Sequence, residues 1–158
     1  MSSGFALALA FGIGVVCGLR SMTAPAVVSW AARLGWLDVS HTWLAFLGYA
    51  WTPYILSVLA VGELVADKLP MTPSRKAPGP FGTRIVLGAL SGAALTAGHG
   101  QSWALGAMAG AVGGIIGTVG GYAARTGLVR ALKVPDFVIA LLEDVVAVGG
   151  GLFLVSRF

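Results

Sequence analysis

Glu63, Asp67, Glu143 and Asp144 lie inside runs apolar enough to enter a bilayer. The first pair sits in Tyr54-Ile-Leu-Ser-Val-Leu-Ala-Val-Gly-Glu63-Leu-Val-Ala-Asp67. The second sits in Phe137-Val-Ile-Ala-Leu-Leu-Glu143-Asp144-Val-Val-Ala-Val. An ionisable group at such a position is costly unless it meets a partner or water, so it marks a functional site by default. Glu63 and Asp67 are four apart and share one helical face. Glu143 and Asp144 are adjacent and point in directions about 100° apart, so only one of them faces a given cavity squarely. If their helices pack together, Glu63 and Glu143 meet at one level. Two such carboxylates repel, which raises one pKa. The pair then holds a proton or binds a cation through oxygen ligands. The plainer alternative is a set of structural ion pairs with Arg20, Lys68, Arg84 or Arg125.

Arg20 is the second notable charge. It follows Gly18, precedes Ser21 and lies near Pro25, which clashes with a preceding helical turn. A helix broken between Gly18 and Pro25 exposes backbone N–H groups. With Arg20 and Ser21 these could hold an anion, or Arg20 could pair with a membrane carboxylate.

Gly106, Gly110, Gly113, Gly117 and Gly120 recur at spacings that place them on one helix face. Gly14/Gly18 and Gly88/Gly92 repeat the small-xxx-small pattern. Small residues on one face let helix backbones approach closely, within the chain or across a homodimer.

The elements that must carry these groups are helical and membrane-like. The chain of 158 residues is 57% hydrophobic and 10% charged, against about 25% charged in a soluble domain. Five apolar segments run over about 5–34, 43–69, 81–98, 103–132 and 136–155. A crossing needs about 20 apolar residues. The first segment is too long for one straight span, and the third is short enough to be re-entrant. The expected fold is therefore all-α: one polytopic membrane helix bundle over residues 1–158, with about five transmembrane segments and a broken first helix. The loop from Pro70 to Pro80 holds four prolines, which argue against helix there.

Lys68, Arg75, Lys76 and Arg84 flank that loop, and Arg125, Arg130 and Lys133 close the fourth segment. Basic loops lie inside, which predicts a cytoplasmic N-terminus, five crossings and an outer C-terminus. Trp36, Trp43 and Trp103 then share the outer boundary, where indoles prefer to sit. Halves 1–79 and 80–158 show weak similarity, Cys17-Gly-Leu-Arg20-Ser21 against Ala123-Ala-Arg125-Thr126. Such a repeat would be inverted, a transporter signature. The estimated depths of Glu63 and Glu143, about 10 and 12 Å from their inner helix ends at roughly 1.5 Å per residue, instead favour one acidic cluster.

Other chemistries find little support. The net charge of +4 collects beside helix ends and forms no nucleic-acid stripe. Met-Ser-Ser-Gly at the start lacks the basic region of a signal peptide. Cys17 is alone in an apolar run, a packing thiol. His41 and His99 lack partners at metal-ligand spacing. No dinucleotide fingerprint, phosphate loop or nucleophile elbow occurs, so neither an enzyme nor a cofactor is expected, and any bound metal is left open.

Gly18-Leu-Arg20-Ser21, with Glu63-Leu-Val-Ala-Asp67-Lys68-Leu-Pro70 and then Pro73-Ser-Arg75, resembles a family of small bacterial integral membrane proteins known only as a domain of unknown function. The resemblance implies a multi-helix protein of the bacterial inner membrane and supplies no substrate. It highlights Arg20, Ser21, Glu63, Asp67, Lys68, Pro70 and Arg75. The expectation is a small transporter-like protein moving an ion or small solute. Glu63, Asp67, Glu143, Asp144, Arg20 and Ser21 would form its site, supported by Lys68, Pro70, Arg75, Arg84 and Arg125. The rival is a non-transporting scaffold or assembly protein whose acids are structural pairs. A third reading is lipid-phosphate handling at the inner leaflet by Lys68, Arg75, Lys76 and Arg84. The expected partners are the lipid bilayer and a second copy joined through the Gly106, Gly110, Gly113 and Gly117 face.

Overall fold

A computed structural model describes residues 2–158. Among them are six α-helices, one 3-10 turn and no strand. The helices are α1 (Ser3–Leu19), α2 (Thr23–Arg33), α3 (Thr52–Ala66), α4 (Pro78–Ala97), α5 (Trp103–Leu132) and α6 (Asp136–Val155), with the 3-10 turn at Ala45–Gly48. Ser2 and Ser102 cap α1 and α5 through their hydroxyls, which accept from the amides of Phe5 and Leu105. Such caps satisfy amides that have no partner within the helix. Lys133, with φ 52°, ends α5 in the left-handed region, and Pro135 then caps α6.

Proline placement explains where the helices begin. Pro25, Pro53, Pro78 and Pro80 all fall in the first turns of α2, α3 and α4, where the missing N–H is not needed. Two prolines of the central loop therefore start α4 instead of excluding it. The third apolar segment is a continuous helix of 20 residues.

The first segment breaks as its sequence predicts, between Leu19 and Thr23. Its two parts then run in opposite directions, which the five-crossing scheme does not contain. A Cβ on Gly12 would meet Leu154, one on Gly150 would meet Val16, and Arg20 reaches Asp144. So α1 is antiparallel to α6. A Cβ on Gly151 would meet Val27, so α2 runs parallel to α6. Helices α1 and α2 form a hairpin with its turn at Arg20–Met22. The start of α1 accordingly lies at the end holding Phe158 and His99, whose rings are 4.5 Å apart. That end is opposite to the basic loops, which corrects the placement of the N-terminus beside them. Trp43 and Trp103 do share one end, edge to face at 5.8 Å.

Helices α1, α4 and α5 form the centre. A Cβ on Gly14 would lie 2.1 Å from the Gly110 carbonyl oxygen, and one on Gly110 would lie 2.1 Å from that of Gly88. A Cβ on Gly92 would lie 2.3 Å from the Gly106 oxygen, on Gly113 2.2 Å from that of Phe11, and on Gly117 2.3 Å from that of Val15. The backbones touch, as glycine faces permit. The face of α5 formed by Gly106, Gly110, Gly113 and Gly117 is thus covered by α1 and α4 of the same chain. It is not free to join a second copy, which corrects the expected dimer face.

The buried apolar core lies toward the end away from the basic loops. Leu9, Ile13, Val28, Leu37, Leu47, Leu95 and Val155 belong to it. Helix α3 packs on α2 and the 3-10 turn, and Pro53 is its one buried residue. Large apolar side chains are exposed along α3, α5 and α6, among them Val58 at 71% and Val145 at 69%. Helices α5 and α6 are each long and apolar enough to cross a membrane.

Substituting Gly110 by Leu should cost more than about 3 kcal/mol, because side-chain atoms would displace backbone on two sides. Gly120→Ala, with nothing within 4 Å of its added carbon, should stay within about 1 kcal/mol of wild type. Thermal unfolding of the detergent-purified variants measures both.

Candidate functional site

The break after α1 leaves Arg20 in extended backbone at φ −140°. Its side chain points into the bundle and is fully buried. A guanidinium stays charged, so this burial is tolerable only among carboxylates. Arg20 Nε meets Asp144 Oδ1 at 2.6 Å, Nη1 meets Asp67 Oδ2 at 2.9 Å, and Nη2 lies 3.5 Å from Glu143 Oε2. One planar cation thereby joins α3 to α6.

Further cations close the network. Lys68 Nζ donates to Asp144 Oδ2 at 2.5 Å and to the Leu64 carbonyl at 2.8 Å. Arg75, from the loop between α3 and α4, holds Glu143 in a fork, at 2.5 Å and 3.0 Å. Arg125 on α5 reaches Asp67 at 2.7 Å and holds Asp136 in a second fork at 2.8 Å and 2.6 Å. Paired contacts of this kind are the stronger form of guanidinium–carboxylate bond.

Glu63 stands slightly apart. It accepts from the Ser21 amide at 2.8 Å, the Ser21 hydroxyl at 2.6 Å and the Met22 amide at 2.8 Å. Arg84 Nη2 lies 3.6 Å away. Glu63 therefore satisfies the open amides at the start of α2 and complements its dipole.

Five acids and five bases share the network, so its formal charge is zero. Two polar cavities open beside it. One of about 360 Å³ is lined by Asp67, Arg75, Tyr122, Arg125 and Asp136, among others. Another of about 250 Å³ is lined by Ser21, Glu63, Asp67, Arg75 and Arg84, among others. Arg84 keeps its Nε without a hydrogen-bond partner, although the residue is only 6% exposed.

The residues singled out from the sequence are thus brought together: Arg20, Ser21, Glu63, Asp67, Lys68, Arg75, Arg84, Arg125, Glu143 and Asp144. Pro70 is not; it lies exposed in the turn after α3. Glu63 and Glu143 do not form a shared carboxylate site, because each is drawn to a different cation. Glu143 and Asp144 both face inward, since the width of the Arg20 guanidinium spans their divergence. Among the described residues no group of His, Cys, Asp or Glu is arranged to hold a metal ion. Asp136 escaped the sequence reading. Its one signal was an acid in the first turn of a helix, which commonly serves the dipole alone.

The model of a family described as a domain of unknown function (DUF4126) matches residues 7–156. The chain belongs to that family. The match takes in α2 to α6, α1 from residue 7, and so the whole network. No curated protein and no solved structure matches the chain.

Arg20→Gln should be the most damaging single change in the network, costing about 3–5 kcal/mol by stranding buried carboxylates. Arg20→Gln with Asp144→Asn should cost clearly less than the sum of the two singles. Arg125→Gln should cost less than Arg20→Gln, because its partner Asp136 is 61% exposed and regains water. Unfolding midpoints of the four variants give the comparison.

Proposed function

We propose that the protein is a polytopic, transporter-like protein of the bacterial inner membrane that moves an ion or small solute along the seam between α2 and α3. The charge network is its latch and not its substrate site. The observation that carries this reading is how α3 is held. Apart from α2 and the 3-10 turn, it reaches α4, α5 and α6 through the charged side chains of Glu63, Asp67 and Lys68. Ionic contacts of this kind can break and re-form as a packed element shifts, which packed glycine backbones cannot do.

Openings around α3 support the reading. The two polar cavities lie on the network side. Beyond Glu63 a cleft of about 180 Å³ is lined by Thr23, Trp30, Ser57 and Val148, among others. The Thr23 hydroxyl there is buried without a partner. Interrupted helices beside a membrane-depth site are a transporter feature. The first three helices also run in the opposite sense to the last three, as an inverted repeat requires. The packing is less symmetric, since the glycine contact of α1 with α5 has no counterpart between α4 and α2.

The bilayer covers the exposed apolar faces of α3, α5 and α6 in this reading. The basic end is cytoplasmic by the positive-inside tendency, which puts both the start of α1 and the end of α6 outside. Helix α2, at 11 residues, is about 16 Å long, so α1 and α2 enter from the outer face as a hairpin. Single cysteines at Ser3 and Ser40 should react with an impermeant maleimide on intact cells. One at Ser74 should react only after permeabilisation. Labelling of Ser3 and Ser74 from the same side would reject this topology.

A second reading, a scaffold that transports nothing, is favoured by the zero charge of the network. Proteoliposomes separate the two. Proton, sodium and formate fluxes are measured for wild type and for Lys68→Gln, which loosens the latch. Transport predicts flux of at least one species above empty vesicles, and a several-fold change in Lys68→Gln. Background flux of all three in both proteins would leave the scaffold.

A further inference from the structure

Glu63 sits where a bound anion would sit. Three donors from the α1–α2 turn converge on its carboxylate: the Ser21 amide, the Met22 amide and the Ser21 hydroxyl, all within 2.8 Å. Helix N-termini present such amides to anions, with the dipole in favour. A second, separate feature points the same way. Arg84 is nearly buried, its Nη2 is 3.6 Å from Glu63, and its Nε has no hydrogen-bond partner. Arg84 also lines the cavity of about 250 Å³ that Ser21 and Glu63 share. The cavity is several times the volume of one water, about 30 Å³, and so has room for a small molecule.

Glu63 takes all three donors of the turn and leaves the Arg84 Nε unused. We infer that the α1–α2 turn is a binding seat for a small oxyanion, a carboxylate or phosphate group. Glu63 fills it as a tethered carboxylate, and a free anion takes it when α3 withdraws. This rests on the reading of α3 as the moving element, and it names the class of solute: an anion exchanged against the chain's own carboxylate. For a carboxylate or a singly charged phosphate the exchange is charge-neutral at the seat, since one monoanion leaves as another enters. Arg84 is the residue that holds either. When α3 withdraws it takes Asp67 and Lys68 with it, whereas Arg20, Arg75 and Arg125 keep partners in Asp136, Glu143 and Asp144.

The seat is tested by emptying it. Glu63→Ala, purified in detergent, should unfold roughly 5–10 °C below wild type, through loss of charge-assisted hydrogen bonds. Sodium formate or inorganic phosphate should restore at least half of that loss, whereas sodium chloride at equal ionic strength should not. Wild type should respond equally to all three salts. Adding Arg84→Gln to Glu63→Ala should abolish the recovery. Glu63→Gly, which leaves more room, is the second variant. For both, the yield of monodisperse protein extracted in formate is compared with that in chloride, so that a variant folding only with the anion still scores. Nanodiscs of phosphatidic acid against phosphatidylcholine separate the sources: recovery confined to phosphatidic acid assigns the seat to a lipid headgroup. No recovery by any oxyanion, recovery by chloride as well, or recovery that survives Arg84→Gln would overturn the seat. Recovery in a protein that carries no flux would keep the seat and remove transport. Flux without recovery would do the reverse.

Discussion

A guanidinium with no exposure to solvent must be neutralised in place, and Arg20 is neutralised by three carboxylates from two helices. The desolvation penalty of one such ion amounts to several kcal/mol. It forces Asp67, Glu143 and Asp144 to converge, and their own charge then calls in Lys68, Arg75 and Arg125. The arrangement follows from one position in the chain. Arg20 follows directly after the last turn of α1, so its side chain enters the bundle at the level where the hairpin turns.

The molecule divides the work of holding itself together. One half of its length is held by apolar side chains and by glycine backbones in direct contact, which tolerate almost no displacement. The other half adds the charge network to the last of these glycine contacts, at Gly18 and Gly114. Close packing is stiff and short-ranged, because dispersion fades within a fraction of an ångström. Ionic contacts in a partly wet site are softer and can be exchanged for one another. Helix α3 crosses from the first regime to the second. It leans on α2 and the 3-10 turn along its length and is tied to the rest by its charged C-terminal end. The two polar cavities open at that charged end, where α3 has least packing around it.

Glu63 differs from the other acids in what it satisfies. Their partners are side-chain cations, whereas its own are chiefly backbone amides left open by a broken helix. The hairpin turn thus creates a need that a carboxylate on another helix fills. The interruption at Arg20–Met22 and the acid on α3 are two halves of one feature.

Much of this was legible in the chain. Acids and bases in apolar runs demand partners, so Arg20, Glu63, Asp67, Glu143 and Asp144 identified themselves, and Pro25 located the break. The glycine stripe announced close helix contact. Each of these inferences uses local chemistry: the cost of a buried charge, a missing amide, an absent Cβ. What local chemistry could not decide was direction and partnership. A proline that opens a helix reads the same whether the chain continues or reverses, so the hairpin and the end at which α1 starts came only with the fold. A glycine face reads the same whether its partner is α1 and α4 or a second copy. Adjacent acids such as Glu143 and Asp144 diverge along an isolated helix, and only the breadth of a guanidinium from elsewhere made both face one site. Residue type sets which interactions must be satisfied, and the packing of distant segments sets which group satisfies them.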